Sequence, residues 1–250
     1  MVSKEQEERP SGKNDNMLLK EIIDDYYKEQ NKLRKKGQKK FWISDAGECP
    51  RAVFFKFKEA PQKDLEPNVL RIFERGDYIH ERIRRVLFSK GLIQASEVEI
   101  PPEEIISGRA DAIVNINGQL YVLDIKSVDG RKFQTIKEEP LIENVYQLQL
   151  YLHFFKIEKG ILLYESKDSS ELKEFVISYN KEMAEKLLRG IENLFEKIEN
   201  NIIPSRLSDY PYNKRCKYCR FREICDMAES GEMNWEDFKN KIQSLENLEG

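Results

Sequence analysis

The sequence predicts an α/β protein in which a central mixed sheet is flanked by helices. Three observations predict it. Short β-like runs stand at 97–100, 107–115, 119–126, 160–165 and 172–178. A helical pattern over 142–157 separates the third run from the fourth, the spacing of a crossover connection. Asn117-Gly118 sits between the second and third runs, and Asn-Gly is the strongest short hairpin signal because both positions tolerate positive φ.

From the N-terminus, residues 1–16 are polar and read as a disordered arm. Leu18, Ile22, Tyr26 and Leu33 then recur at helical spacing, which predicts a helix over 17–35. In the segment 42–58, Ser44 or Asp45 is expected to cap a short helix that runs through Cys49, with Pro50 in its first turn. A loop from Pro61 to Pro67 leads to a long helix over 68–90, which Gly91 can terminate. After the strands, a helix over 180–200 precedes a cysteine-rich segment and a last helix from about 233. The expected organisation is an arm (1–16), an N-terminal helical segment (17–66), a core (67–200) and a cysteine-rich C-terminal segment (201–250).

A chain of 250 residues can bury one sizeable core, so terminal extensions are expected rather than a second domain. Mean hydropathy is −0.67. No apolar run approaches the roughly 18 residues of a membrane span, and the N-terminal stretch lacks the apolar centre of a signal peptide. A cytoplasmic protein is expected. Net charge is only −3, so global charge does not point to nucleic acid. Its distribution is more informative. The run 32–40 carries six basic groups in nine positions. Arg71, Arg75, Arg82, Arg84, Arg85 and Lys90 fall in the long helix, and Lys214, Arg215, Lys217, Arg220 and Arg222 surround the C-terminal cysteines. Such patches can neutralise phosphates, although each can equally be a solvated helix face.

The hairpin carries the chemistry. A two-residue loop at Asn117-Gly118 sets Ile116 opposite Gln119, and counting outward sets Asp111 opposite Asp124. Their Cβ atoms would lie about 5 Å apart. Lys126, two residues past Asp124, points to the same face. Ala110, Ala112, Ile113, Val122, Leu123 and Ile125 surround the two acids, so the pair would repel and lose hydration. A divalent cation offsets both penalties, and Asp111, Asp124 and the carbonyl of Ile125 form a hard-oxygen set suited to Mg²⁺ or Mn²⁺. Lys126 could then orient an attacking water and balance phosphate charge. A buried ion pair explains the D-x-K tripeptide as well, so the surrounding residues must decide. Gln147 and Tyr151, four apart, share one helix face that can pack beside the hairpin. His80 on the long helix is a candidate Mn²⁺ ligand, whereas His153 points elsewhere and reads as packed or partly solvated.

Taken in order, His80, the GRAD motif ending in Asp111, Asp124-Ile125-Lys126 and Gln147-x-x-x-Tyr151 resemble the RecB-type branch of the PD-(D/E)XK nucleases. The resemblance implies a restriction-endonuclease-like core. It also implies that the histidine and both acids hold the metal, that the lysine assists water, and that the Gln/Tyr pair arranges lysine and DNA.

The four cysteines are Cys49, Cys216, Cys219 and Cys225, the last three spaced C-x2-C-x5-C. Clustered cysteines in an intracellular setting favour metal ligation over disulfides, and four thiolates suit either Zn²⁺ or an iron–sulfur cluster. The layout is similar to that of the iron–sulfur RecB-like nucleases, including the CRISPR-associated exonuclease family known as Cas four. That likeness implies a 4Fe–4S cluster, exonuclease action in the 5′ to 3′ direction on single-stranded DNA ends or overhangs, and trimming of DNA in partnership with the CRISPR integrase. Two other readings stay open from sequence: a free-standing repair, plasmid or viral nuclease of the same fold, and a cluster-containing DNA-binding subunit with a silent site.

Overall fold

The computed structural model describes residues 18–34 and 37–249; the arm expected at 1–16 and part of the basic run at 32–40 lie outside the described residues. Helix α1 (Leu19–Arg34) packs on helix α3 (Pro67–Ser89), pinned by Arg71 Nη1 to Asp24 Oδ1 at 2.7 Å. Between them, strand β1 (Phe41–Trp42) pairs in parallel with β3 (Ile106–Ser107). Helix α2 spans Pro50–Phe57.

The start of α2 corrects an expectation. Ser44 and Asp45 lie in a separate 3₁₀ turn, Ile43–Asp45, and Cys49 itself is the N-cap residue of α2 with Pro50 at its first position. Asp45 instead accepts bonds from the Trp42 amide (3.0 Å) and Lys56 Nζ (2.8 Å). Gly47, at φ +80, turns the chain between the two short elements. The cysteine therefore sits at a helix start, not inside a helix.

Five strands form the main sheet: β2 (Ile93–Glu99), β4 (Arg109–Ile116), β5 (Gln119–Val128), β6 (Lys159–Ser166) and β7 (Leu172–Ser178), in that spatial order. Only β5 and β6 run parallel, and helix α5 (Ile142–Phe155) makes the crossover between them. The sheet is thus mixed, as expected. Helix α3 covers one face through Ile79 and Ile83 against Ala112, Val114, Leu123, Ile125 and Ile161. Against the other face lie α5 and helix α6 (Lys181–Glu199), with Leu148, Leu152, Leu162 and Tyr164 fully buried. Along β5, Val122 joins one cluster while Leu123 and Ile125 join the other, as alternating side chains of a doubly covered strand must.

Two close approaches set the helices on the sheet. A Cβ at Gly160 of β6 would lie 2.7 Å from Leu148 of α5, and one at Gly76 of α3 would lie 3.0 Å from Ser127 Oγ of β5. The missing side chains let both helices settle onto the strands.

The C-terminal segment returns to α2. Strand β8 (Ile202–Ile203) pairs with β9 (Met233–Asn234), and the last helix, α9 (Trp235–Glu249), brings Trp235 against Phe54 and Phe55, with Phe238 packed on Trp235. The intervening chain carries short helices α7 (Lys214–Lys217) and α8 (Arg222–Met227), neither marked by a sequence period. Helix α4 (Gly130–Thr135), capped by Asp129 Oδ1 on the Lys132 amide at 3.0 Å, was likewise not anticipated. Among the described residues, no helix is long and apolar enough to cross a membrane.

Candidate functional site

The hairpin has the register that its turn predicts. Ile116 pairs with Gln119, and the ladder runs through Ala112 opposite Leu123, one step short of Asp111 and Asp124. At that step the strands are joined by a side chain: Asp111 Oδ2 accepts the Ile125 amide at 2.6 Å. Asp111 is only half-buried, whereas Asp124 is 3% exposed. The two acids share a site but not an environment.

His80 of α3 places Nδ1 3.1 Å from Asp111 Oδ1. If the neutral ring donates from Nδ1, the Nε2 lone pair stays available to a metal. Burial pushes the Asp111 carboxyl up, but the His80 bond and charge, the Ile125 amide and Lys126 together outweigh it, so its pKa falls below the ordinary range. Asp124 goes the other way. Burial and then the like charge of Asp111 lift it to about 6 against the pull of Lys126. The strained carboxylate is therefore Asp124, not the pair equally.

Lys126 Nζ lies 3.0 Å from Asp124 Oδ2 and donates to Gln147 Oε1 at 2.7 Å. Despite that proximity the lysine is not aligned for a hydrogen bond to Oδ2, which is buried without a hydrogen-bond partner. The ion-pair distance and the missing bond are compatible, because attraction between charges does not require the alignment a hydrogen bond does. Even with that ammonium beside it the Asp124 carboxyl stays raised by burial and by Asp111, so a second cation there would lower the energy. The residues fit a divalent ion on that ground.

Gln147 and Tyr151 both face the hairpin, as their spacing predicts. The Tyr151 hydroxyl donates to the Arg109 carbonyl at 2.8 Å and the residue is 3% exposed, so the phenol braces β4. Gln147 Nε2 reaches that hydroxyl at 3.5 Å, which steadies the amide that holds Lys126. His153 is held through Nδ1 at 2.8 Å from Tyr179 Oη, away from the acids, as expected.

The basic face expected on α3 is largely occupied. Arg71 pairs with Asp24, Arg82 with the buried Glu165, and Arg84 with Glu81 and Glu97, while Arg75 donates to the Lys167 carbonyl. Guanidinium groups already engaged with carboxylates and carbonyls are poor phosphate clamps.

The four cysteines come from α2's N-cap, from α7, from the turn after it and from α8; all are reduced, and all line one cavity of about 1560 Å³. Burial, then the neighbouring thiols, push Cys216 up; Cys219 is raised by burial and by Cys49, Cys225 and Cys216, against the Phe221 amide. Thiolates gathered there would repel one another unless a cation joined them. Among the described residues, however, no three His, Cys, Asp or Glu side chains are gathered closely enough to hold one metal ion. The donors converge on both sites without closing.

Arg51, one residue into α2 beyond Pro50, was passed over in the sequence. It is 1% exposed, and its guanidinium donates to the carbonyls of Pro204 (2.6 Å), Glu229 (2.8 Å) and Gly231 (2.8 Å), with Nη1 3.9 Å from Cys225 Sγ. Its position beside Cys-Pro in an otherwise apolar helix was the only signal.

The profile of the PD-(D/E)XK nuclease superfamily matches residues 4–226. Over 224 residues the chain is 33% identical to the CRISPR-associated exonuclease Cas4 of Saccharolobus solfataricus, covering 83% of this chain and 95% of that protein. Its fold is similar to the crystal structure of SSO0001, at TM-score 0.55 and 31% identity, over 83% of this chain and 95% of the other. It is also similar to an alkaline exonuclease, LHK-Exo, from Laribacter hongkongensis, at TM-score 0.50 over 70% and 93% of the two chains. At 13% identity that last likeness is one of fold alone.

Proposed function

The chain belongs to the PD-(D/E)XK nuclease superfamily, and from that premise we propose that it is a Mg²⁺- or Mn²⁺-dependent deoxyribonuclease acting on DNA ends. The observation that carries the metal requirement is the convergence of two carboxyls, Asp111 and a 3% exposed Asp124 that burial and Asp111 raise to about 6 even with Lys126 3.0 Å away. His80, Asp111, Asp124 and the Ile125 carbonyl would hold the ion, which when bound supplies Lewis-acid polarisation of the phosphate and a more acidic water. Lys126, held by Asp124 and Gln147, orients the attacking water and neutralises charge that builds on the phosphate. Gln147 positions the lysine, and Tyr151 positions Gln147 against β4. The likeness to a CRISPR-associated exonuclease supports exonuclease action. Action from single-stranded ends, 5′ to 3′, in DNA trimming before spacer integration alongside the CRISPR integrase is proposed with it from the family resemblance of the sequence motifs. The test is cleavage of end-labelled DNA. Mg²⁺ or Mn²⁺ should produce progressive loss from the end, EDTA should stop it, and excess metal should restore it. DNA left intact in both metals would refute the proposal.

Cys49, Cys216, Cys219 and Cys225 are proposed to ligate a 4Fe–4S cluster, which would tie α2 to the C-terminal segment. Their shared cavity supports a metal centre, as do the Cys216 and Cys219 thiols raised by burial and by neighbouring thiols. The resemblance of the cysteine layout to iron–sulfur nucleases is the ground for proposing iron and not zinc. Protein prepared without oxygen should be brown with about four irons per chain. Cys49→Ser should lower both iron content and melting temperature, because the site constrains distant parts of the chain. Stoichiometric zinc without iron would replace the cluster with a zinc centre.

A further inference from the structure

The cavity that holds the cysteines has an unusual lining. Among the described residues, nine basic and four acidic side chains line it. Arg51, Lys56, Lys132, Arg206, Arg220 and Arg222 are already bonded to carbonyls or carboxylates, which leaves Arg131, Lys214 and Arg215 to face a ligand. That excess stands in a chain whose net charge is −3. A concave basic wall raises the local concentration of polyanions. Arg131 and Lys132 lie just beyond the end of β5, and Asp129, five residues after Asp124, already lines the cavity. At about 3.3 Å per residue, the wall begins roughly 16 Å from the acids.

Aromatic rings stand in the same wall. Tyr212 is 91% exposed and Tyr218 is 79% exposed, and neither hydroxyl has a hydrogen-bond partner among the described residues. Their neighbour Tyr210 shows the contrast: Arg206 and Arg222 cover its ring at 4.5 and 4.9 Å. Tyr218 sits between Cys216 and Cys219, with Lys217 Nζ 5.5 Å from its ring centre. The fold does not use the open faces of Tyr212 and Tyr218.

We propose that this cavity binds single-stranded DNA, with Tyr212 and Tyr218 stacking on its bases and Arg131, Lys214 and Arg215 holding its phosphates. The proposal rests on the nuclease reading for the identity of the polyanion and adds a site which that reading does not contain. A duplex satisfies the charge but keeps its base faces stacked internally; only an unpaired strand satisfies the rings as well. A metal centre held by Cys216 and Cys219 would also fix the backbone on both sides of Tyr218.

The test compares an oligothymidine with an abasic strand of equal length, titrated by fluorescence anisotropy into full-length protein carrying Lys126→Ala to prevent cutting. The thymine strand should bind more tightly than the abasic one. Adding Tyr212→Ala or Tyr218→Ala should weaken the thymine strand about tenfold each while leaving the abasic strand within about twofold. Tyr→Trp at either position should restore the difference, and melting temperatures should not move. Thymine binding unchanged in the double alanine variant, or thymine and abasic strands weakened alike, would overturn the proposal. Cleavage by protein with native Lys126 reads the nuclease activity separately: a protein that cuts nothing yet keeps base-dependent binding would sink the nuclease reading and uphold the stacking site.

Discussion

Lys126→Ala is expected to lower the rate of DNA cleavage by about a thousandfold or more while leaving DNA affinity within about twofold. The lysine is 20% exposed and fixed at two points, 3.0 Å from Asp124 Oδ2 and 2.7 Å from Gln147 Oε1. In the proposed mechanism a group held that rigidly acts on the reacting phosphate and water, where loss of one preorganised charge is felt in the rate. Affinity draws on many Lys and Arg contacts to phosphate, so one lysine contributes little and the whole should weaken steeply with salt. Gln147→Ala should lie between wild type and Lys126→Ala, because it frees the lysine without removing it. Single-turnover cleavage and anisotropy on the same strand measure both quantities. Unchanged turnover in Lys126→Ala would remove the residue from the mechanism.

Arg51→Met should cost about 3–5 kcal/mol of folding stability, a large part of the 5–15 kcal/mol that a domain usually has. Methionine matches the length of the arginine stem but removes the donors to the carbonyls of buried Pro204 and of exposed Glu229 and Gly231. A buried acceptor left unmade costs about 1–3 kcal/mol, and each lost bond from a charged donor adds to it. Lysine should rescue little, since an ammonium cannot present the planar fork that these carbonyls meet. The loss should be local first. Arg206 also donates to the carbonyls of Cys225, Asp226 and Ala228, so two arginines clamp the loop that carries the last cysteine. Urea unfolding together with limited proteolysis would show a lower midpoint and early cleavage between about 204 and 231. A variant within about 1 kcal/mol of wild type, with no new cleavage, would show that water replaces the guanidinium at little cost.

The geometry of the candidate site was legible because it is local. A two-residue turn sets a register by counting, and the count carries from Ile116–Gln119 to the step joining Asp111 to the Ile125 amide. Gln147 and Tyr151 were legible for the same reason, through helical spacing. The fold class followed from strand order, but two strands did not read cleanly. In β2 the register shifts between Ile93 and Ala95, and Glu97 adopts φ +52, so alternation is broken and only its last residues look like a strand. The short β3, Ile106–Ser107, is detached from β4 and pairs with β1, a contact between residues far apart in sequence.

Distant pairing also explains the other misses. Arg82 looks free in sequence, yet it meets Glu165 across the sheet; Arg51 looks like an ordinary helix residue until the C-terminal segment folds over it. The unequal strain of the two acids could not be counted either. It depends on His80 arriving from α3 to support Asp111 and on the sheet closing over Asp124.

The claim that a divalent cation sits between Asp111 and Asp124 and drives hydrolysis is tested most directly by counting bound Mn²⁺. Free Mn²⁺ is read by electron paramagnetic resonance during titration of the wild type and of Asp124→Asn, both with their cysteine centre loaded. The account predicts a Mn²⁺ site in the wild type that is weakened by about a hundredfold or more in Asp124→Asn, with cleavage lost in step. Equal Mn²⁺ binding by the two proteins, or cleavage that survives in Asp124→Asn, would contradict it.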